Sequence, residues 1–258
     1  MTAISRRSVI NSGLAGALGC ACCGAFSRQA LAADGPSWSY KGATGPEAWG
    51  SLGKDYAACG QGTAQSPVDL AAPIPAEIDP VAVRWEADMD GQVINNGHTI
   101  QVNVPNGSIV KVGAKSYELL QFHFHHPSEH LVEGKPLAME VHFVHRSAAG
   151  DLAVIGVLFE EGAENAALAP IWSAMPGQKG DGPIVAVAPR ALLPADKAQF
   201  RYAGSLTTPP CSEVVAWIAY RTPIQASRAQ IAAFADLFPM NARPPQPLNR
   251  RFLLLGGG

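Results

Sequence analysis

Between Gln121 and His130 the chain reads Gln-Phe-His-Phe-His-His-Pro-Ser-Glu-His, and no other stretch constrains the fold as strongly. Aromatic and imidazole side chains alternate there with a period of two, the repeat of an extended strand. On such a strand Gln121, His123 and His125 share one face, and Phe122 and Phe124 share the other. All seven histidines of the chain (His98, His123, His125, His126, His130, His142 and His145) fall between positions 98 and 145. A second run, Glu140 to His145, puts Glu140, His142 and Val144 on one face and His145 on the opposite one. If the two runs are neighbouring strands, His123, His125 and His142 converge on one point. Three imidazoles with a fourth position open form the ligand set of a catalytic zinc, whereas structural zinc sites are closed by four ligands rich in cysteine. A pH switch and a crowded strand with no special role are the competing readings. With a metal, Gln121 and Glu140 are placed to hydrogen-bond the far ring nitrogens and fix the tautomers.

The rest of the chain supports a sheet-rich body. Hydrophobic residues make up 47% and charged residues 16%, which provides for a buried core and excludes a disordered chain. With 26 Gly and 21 Pro in 258 residues, turns are frequent, as in sheet proteins rather than helix bundles. Alternation and turn signals predict strands over 99–104, 108–112, 119–125, 138–145, 152–159 and 214–220. One helix is predicted over 227–238, with Ser227 as N-cap and Pro239 as the stop. No internal linker or repeat divides the body, so the fold class is mainly β in a single domain. A net charge of −2 without a basic run excludes a nucleic-acid-binding surface.

The N-terminus reads as an address. Arg6-Arg7 precede an apolar stretch to about Phe26 that is too short and weakly apolar for a membrane span. Ala30 and Ala32 then supply an A-x-A cleavage signal. The pattern resembles a bacterial twin-arginine export signal, with an ordinary secretory signal as the alternative. Residues 1–32 are thus expected to be cleaved and 33–258 to form the exported domain, periplasmic or secreted, with no stable membrane span afterwards. Cys20, Cys22 and Cys23 leave with the signal. The remaining pair, Cys59 and Cys211, reads as a disulfide in an exported chain, or as two separate buried thiols.

Taken together the motifs resemble α-class carbonic anhydrases, the bacterial exported members in particular. The match runs through Trp38-Ser39-Tyr40, Gly45-Pro46-Glu47-Ala48-Trp49, Gln65-Ser66-Pro67-Val68, Asn95-Asn96-Gly97-His98 and Gln121 to His125. It continues through Ser128-Glu129-His130, Glu140 to His145, Ser205 to Cys211 and Arg243 to Leu248. The resemblance implies a large, twisted, mostly antiparallel central sheet of about ten strands with small peripheral helices. It implies reversible hydration of carbon dioxide to bicarbonate by zinc-bound hydroxide, with His123, His125 and His142 as the zinc ligands.

Position by position, Thr207 matches a residue that accepts a hydrogen bond from the nucleophile and donates one to a buried carboxylate, here Glu129. Val144, Val154, Leu206, Val215 and Trp217 match the wall of the carbon dioxide pocket, and Thr208 lies at its mouth. His98 matches the proton shuttle, and Tyr40, Asn96 and Gln101 match residues ordering the water chain, with Gln101 standing where asparagine is common. His130 and His145 match structural positions, and His126 falls on the face away from the ligands. The partner implied is a small-molecule substrate, with room for a homodimer. The alternatives are a carbonic-anhydrase-like binding module without catalysis and a different zinc hydrolase such as an esterase.

Overall fold

The computed structural model describes residues 36–257. The export signal expected over 1–32, with its arginine pair and three cysteines, lies outside the described residues. Frequent Gly and Pro keep the strands short and the helices shorter. The first strands are β1 (Ile74–Pro75), β2 (Val81–Arg84), β3 (Met89–Asn95), β4 (Ile100–Asn103), β5 (Ile109–Val112) and β6 (Lys115–His125). A small hairpin, β7 (Leu131–Val132) and β8 (Lys135–Pro136), leads to β9 (Met139–Arg146) and β10 (Leu152–Glu161). After these come β11 (Gly180–Val187), β12 (Gln199–Gly204), β13 (Val215–Tyr220), β14 (Ile224–Ala226) and β15 (Leu254–Gly256). The α-helices are α1 (Trp49–Leu52), α2 (Ala58–Gln61), α3 (Ala169–Ser173) and α4 (Arg228–Leu237).

Ten strands form one path in the order β1-β15-β12-β13-β10-β9-β6-β4-β3-β11, with β2, β5 and β14 attached beside it. Pairing is antiparallel except where β1 meets β15 and where β10 meets β13 and β14. This is the mainly β architecture of about ten strands that the sequence led us to expect. The six strands predicted by alternation all form, five of them with ends shifted by a residue or two. The sixth, β6, starts four residues earlier than predicted. Helix α4 forms as predicted, with a capping box in which Gln230 N donates to Ser227 Oγ at 3.2 Å and Ser227 N donates to Gln230 Oε1 at 3.1 Å.

Strands β6 and β9 lie side by side in mid-sheet, and their register opposes His123 to His142 and His125 to Glu140. The register shifts between Leu119 and Gln121, so β6 carries a bulge. Its consequence is a change of parity. Tyr117 and Leu119 face the core before the bulge, and Phe122 and Phe124 face it afterwards. Unbroken alternation from Leu119 would put that leucine beside His123; the bulge instead buries Leu119 and keeps the imidazoles on the opposite face.

The core side of the sheet packs against α3 and α4. Phe124 meets Trp172 and Phe234 edge-on, with ring centroids 4.8 and 6.1 Å away. Each such burial contributes about 1.5–3 kcal/mol. A second apolar cluster, containing Val144, Val154, Val215 and Trp217, lies on the imidazole side.

Candidate metal centre and active site

Strand geometry gathers three imidazoles into one cluster. One ring nitrogen from each of His123, His125 and His142 lies within 4.8 Å of the others. Two of the far nitrogens are hydrogen-bonded elsewhere, and the third stands against a carboxylate. His123 Nδ1 donates to Gln121 Oε1 at 2.9 Å, and His125 Nδ1 donates to the Asn241 carbonyl at 2.7 Å. His142 Nε2 lies 2.9 Å from Glu140 Oε1. These contacts leave His123 Nε2, His125 Nε2 and His142 Nδ1 as the nitrogens available to the cluster; His125 Nε2 is buried without a hydrogen-bond partner, and His142 Nε2 meets Glu140 at ion-pair distance without hydrogen-bond geometry. Burial is the main cause of a lowered pKa in all three: His125 falls to about 4, His123 lies well below its ordinary value and His142 is lowered too. The rings are therefore neutral at pH 7 and able to donate lone pairs to a cation. A buried, neutral, unpartnered nitrogen such as His125 Nε2 is what a divalent, imidazole-binding metal requires.

Glu140 anchors this cluster from beneath. Its Oε2 accepts from the Glu129 and His130 N–H groups at 3.0 and 2.9 Å, and its Oε1 meets His130 Nδ1 at 2.7 Å. Burial alone would raise this carboxyl, but the His130 and His142 imidazoles pull it well below the ordinary range. His130, Glu140 and His142 also approach as a group, yet Glu140 is saturated by these bonds. His130 further meets Tyr202 Oη at 2.7 Å, so the group reads as support. Gly156, opposite His142 on β10, leaves room for the carboxylate: a Cβ there would lie 2.8 Å from Glu140 Oε1.

Glu129 is buried beside the imidazoles. Its Oε1 accepts from Arg243 N at 2.8 Å and its Oε2 lies 3.8 Å from His142 Nδ1. Burial pushes its carboxyl up to about 7, against the pull of His142, the Arg243 N–H and the Thr207 hydroxyl. Thr207 comes from the segment before β13, and that segment is pinned. Leu206 N donates to Ser212 O at 3.1 Å, Cys211 N donates to Thr208 O at 2.9 Å, and Cys211 is bonded to Cys59. Arg243 ties the same region together, donating to the carbonyls of Cys59 and Ser66 and to Gln65 Oε1 at 2.8–3.0 Å.

The apolar wall forms as one cluster. Val144, Val154 and Trp217 stand in register across β9, β10 and β13, with Val215 buried beside them and Leu206 packed against the group. The Trp217 ring lies 4.9 Å from that of His142. Thr208 is half-buried next to Thr207.

His98 sits farther out, on the turn joining β3 to β4. Gly97 turns there with φ +89, and Asn96 Oδ1 accepts from the N–H groups of His98 and Thr99 at 2.9 and 3.0 Å. The His98 ring stacks on Trp38 with centroids 3.8 Å apart and planes 8° off parallel, and Tyr40 lies 6.5 Å away. Burial, and then Lys179, lowers its pKa. Asn96 Nδ2 donates to Gln101 Oε1 at 3.2 Å, and Gln101 faces His123 across the strands.

Two histidines stand apart. His145 is buried against Trp85 on the core side. His126 follows the end of β6 instead of continuing it; its N–H is held by Asn241 Oδ1 at 2.7 Å, so chain termination rather than strand parity takes it out of the cluster. Asn241 and Gly156 have no counterpart in the sequence reading. Asn241 comes from a segment without periodicity 116 residues beyond His125, and one glycine among 26 carries no local mark.

Fold and site together define a β-sheet protein with a buried three-imidazole cluster set against an apolar wall. Known proteins share this plan. A family model described as eukaryotic-type carbonic anhydrase matches residues 44–255. A carbonic anhydrase of Nostoc sp. is 46% identical over 225 residues, covering 84% of this chain and 85% of that one. The α-carbonic anhydrase of Thermovibrio ammonificans, solved with the inhibitor sulfanilamide, superimposes with a TM-score of 0.83 at 43% identity, over 85% of this chain and 99% of the other. Dioscorin, solved with ascorbate, gives 0.79 at 28% identity, over 85% and 97%. The chain belongs to the α-class carbonic anhydrase family, lyases that hydrate carbon dioxide, a small-molecule substrate.

Proposed function

We propose that this chain is a zinc-dependent carbonic anhydrase working outside the cytoplasm, with zinc held by His123, His125 and His142. The observation that carries the reading is the buried, unpartnered His125 Nε2, clustered with His123, whose Nδ1 is hydrogen-bonded to Gln121, and with His142, whose Nε2 lies 2.9 Å from Glu140. When bound, the ion supplies a Lewis acid, undischarged by its neutral ligands, that makes hydroxide available near neutral pH, an effect for which carbonic anhydrases are the standard illustration.

The chain's own residues account for the remaining steps. Gln121, Asn241 and Glu140 hold the rings in the tautomers that leave their lone pairs inward. Glu129 takes the hydrogen of the Thr207 hydroxyl, so Thr207 Oγ1 presents a lone pair to the attacking oxygen and aims it at carbon dioxide. Val144, Val154, Leu206, Val215 and Trp217 give that apolar substrate a surface free of competing water, with Thr208 at the mouth. His98 takes up, on an imidazole nitrogen, the proton released in each turnover and passes it to buffer. Tyr40, Asn96 and Gln101 order the water between. Export of residues 33–258 after cleavage at 32 agrees with the Cys59–Cys211 bridge, which is at home in an oxidising compartment. Among the described residues no helix is long and apolar enough to cross a membrane.

Stopped-flow carbon dioxide hydration on the mature chain tests this reading. We expect fast hydration with one zinc per chain, lost on chelation and restored by zinc. A folded, zinc-loaded chain with no hydration above background would leave a binding module in place of an enzyme.

A further inference from the structure

Gln101 is 7% exposed and stands beside the imidazole cluster. A buried amide of this kind must satisfy both ends, and which end points where is decided by its neighbours. The neighbours form a directional series. The backbone N–H groups of His98 and Thr99 point at Asn96 Oδ1, which commits Asn96 Nδ2 to donate to Gln101 Oε1 at 3.2 Å. Gln101 Nε2 is thereby turned the other way, where it donates to Asn103 Oδ1 at 2.7 Å. Asn103 lies two residues on along β4, so its side chain shares the face of Gln101. Across the strands Gln101 opposes His123, and Asn103 opposes Gln121, which holds His123 Nδ1.

We infer that Asn103 is a positioning residue for proton transfer. It accepts the outer Nε2–H of Gln101 and so keeps the longer, more mobile glutamine amide in one orientation beneath the water chain serving His98. Glutamine has one more rotatable bond than asparagine, and without an acceptor at position 103 its amide is held at the oxygen end alone, by the 3.2 Å bond from Asn96 Nδ2. Asn103 acts only through Gln101 and does not touch the reacting atoms. The inference rests on the proposed enzyme reading, because it concerns a step of that reaction.

The test uses the zinc-loaded mature protein with Asn103→Leu and Asn103→Asp. Leucine removes the acceptor at similar volume, and aspartate keeps an acceptor oxygen. We expect Asn103→Leu to lower kcat in weak buffer about fivefold, the rate equivalent of one lost hydrogen bond, while kcat/KM for carbon dioxide stays unchanged. Concentrated imidazole buffer, which bypasses the internal route, should erase the difference, and Asn103→Asp should restore most of the rate. A second readout needs no turnover. In 15N spectra of the metal-free protein the side-chain amide of Gln101 should shift in the Leu variant and stay near its place in the Asp variant. Wild-type kcat in weak buffer for the Leu variant would overturn the inference. So would equal losses in kcat and kcat/KM at every buffer strength, or an unmoved Gln101 amide. Absence of hydration by the wild-type protein would instead strike the enzyme reading, which separates the two failures.

Discussion

At the scale of single residues the site depends on which atom of each group is already taken. Glu129 shows this well, because its role cannot be read from its own position after a proline-containing turn. It is buried, accepts from Arg243 N and stands near His125, His142 and Thr207. An amide in its place brings N–H hydrogens that the Thr207 oxygen can accept, releasing the threonine hydrogen from its fixed direction. Glu129→Gln should therefore lower kcat/KM about 10- to 100-fold, the scale set by misorienting a nucleophile, with zinc content unchanged. Hydration assays paired with metal analysis check this, and a variant with normal kcat/KM removes Glu129 from the orientation of the nucleophile. The imidazole triad itself was legible in the sequence, since alternation puts His123 and His125 on one face without further knowledge. Asn241 was not, because a carbonyl that fixes a tautomer can come from any residue type.

At the scale of elements, the segment from Ser205 to Cys211 carries Thr207 and Thr208 without strand or helix to hold it. What fixes it is the Cys59–Cys211 bond, together with Gln65 Nε2 donating to the Cys211 carbonyl at 3.0 Å. The bond spans 152 residues, and closing so long a loop stabilises by about 5 kcal/mol on the chain-entropy account. Replacing both cysteines by serine should lower stability by up to about that amount, measured by urea unfolding with matched zinc content. An unchanged midpoint would show that hydrogen bonds alone secure the segment. Strand content was readable for the same reason the triad was: β4, β5, β9, β10 and β13 alternate or run apolar over their lengths. The β6 bulge escaped, since an extra residue in one strand is marked by its partner's register and not by its own composition. Strand β11 escaped because it begins Gly-Asp-Gly-Pro and lies at the sheet edge, burying little.

At the scale of the whole molecule, four histidines with lowered pKa values lie on the two faces of one sheet. His123, His125 and His142 form the imidazole cluster proposed to hold zinc, whereas His145 packs in the core against Trp85. Burial lowers His145 to about 4, against the pull of the carbonyls of Ala153 and Phe143. In the unfolded chain the same ring titrates near 6.5. Between those values the unfolded state binds a proton that the folded state refuses, so folding stability rises with pH across the window. Its contribution is present above pH 6.5, falls as the pH drops and is fully lost below pH 4, a change of about 3 kcal/mol. His145→Gln keeps a donor for the Ala153 carbonyl but cannot titrate. Its stability should be lower than wild type at pH 7.5, and its loss between pH 6.5 and pH 4.5 shallower by close to one proton. Urea midpoints across that range decide the matter. Parallel curves for the two proteins would mean that His145 opens to solvent in acid before the fold gives way. Zinc-loaded protein should lose stability with acid at least as steeply as metal-free protein, because the ion leaves on unfolding and its three imidazole ligands then take up protons that the loaded folded state excludes.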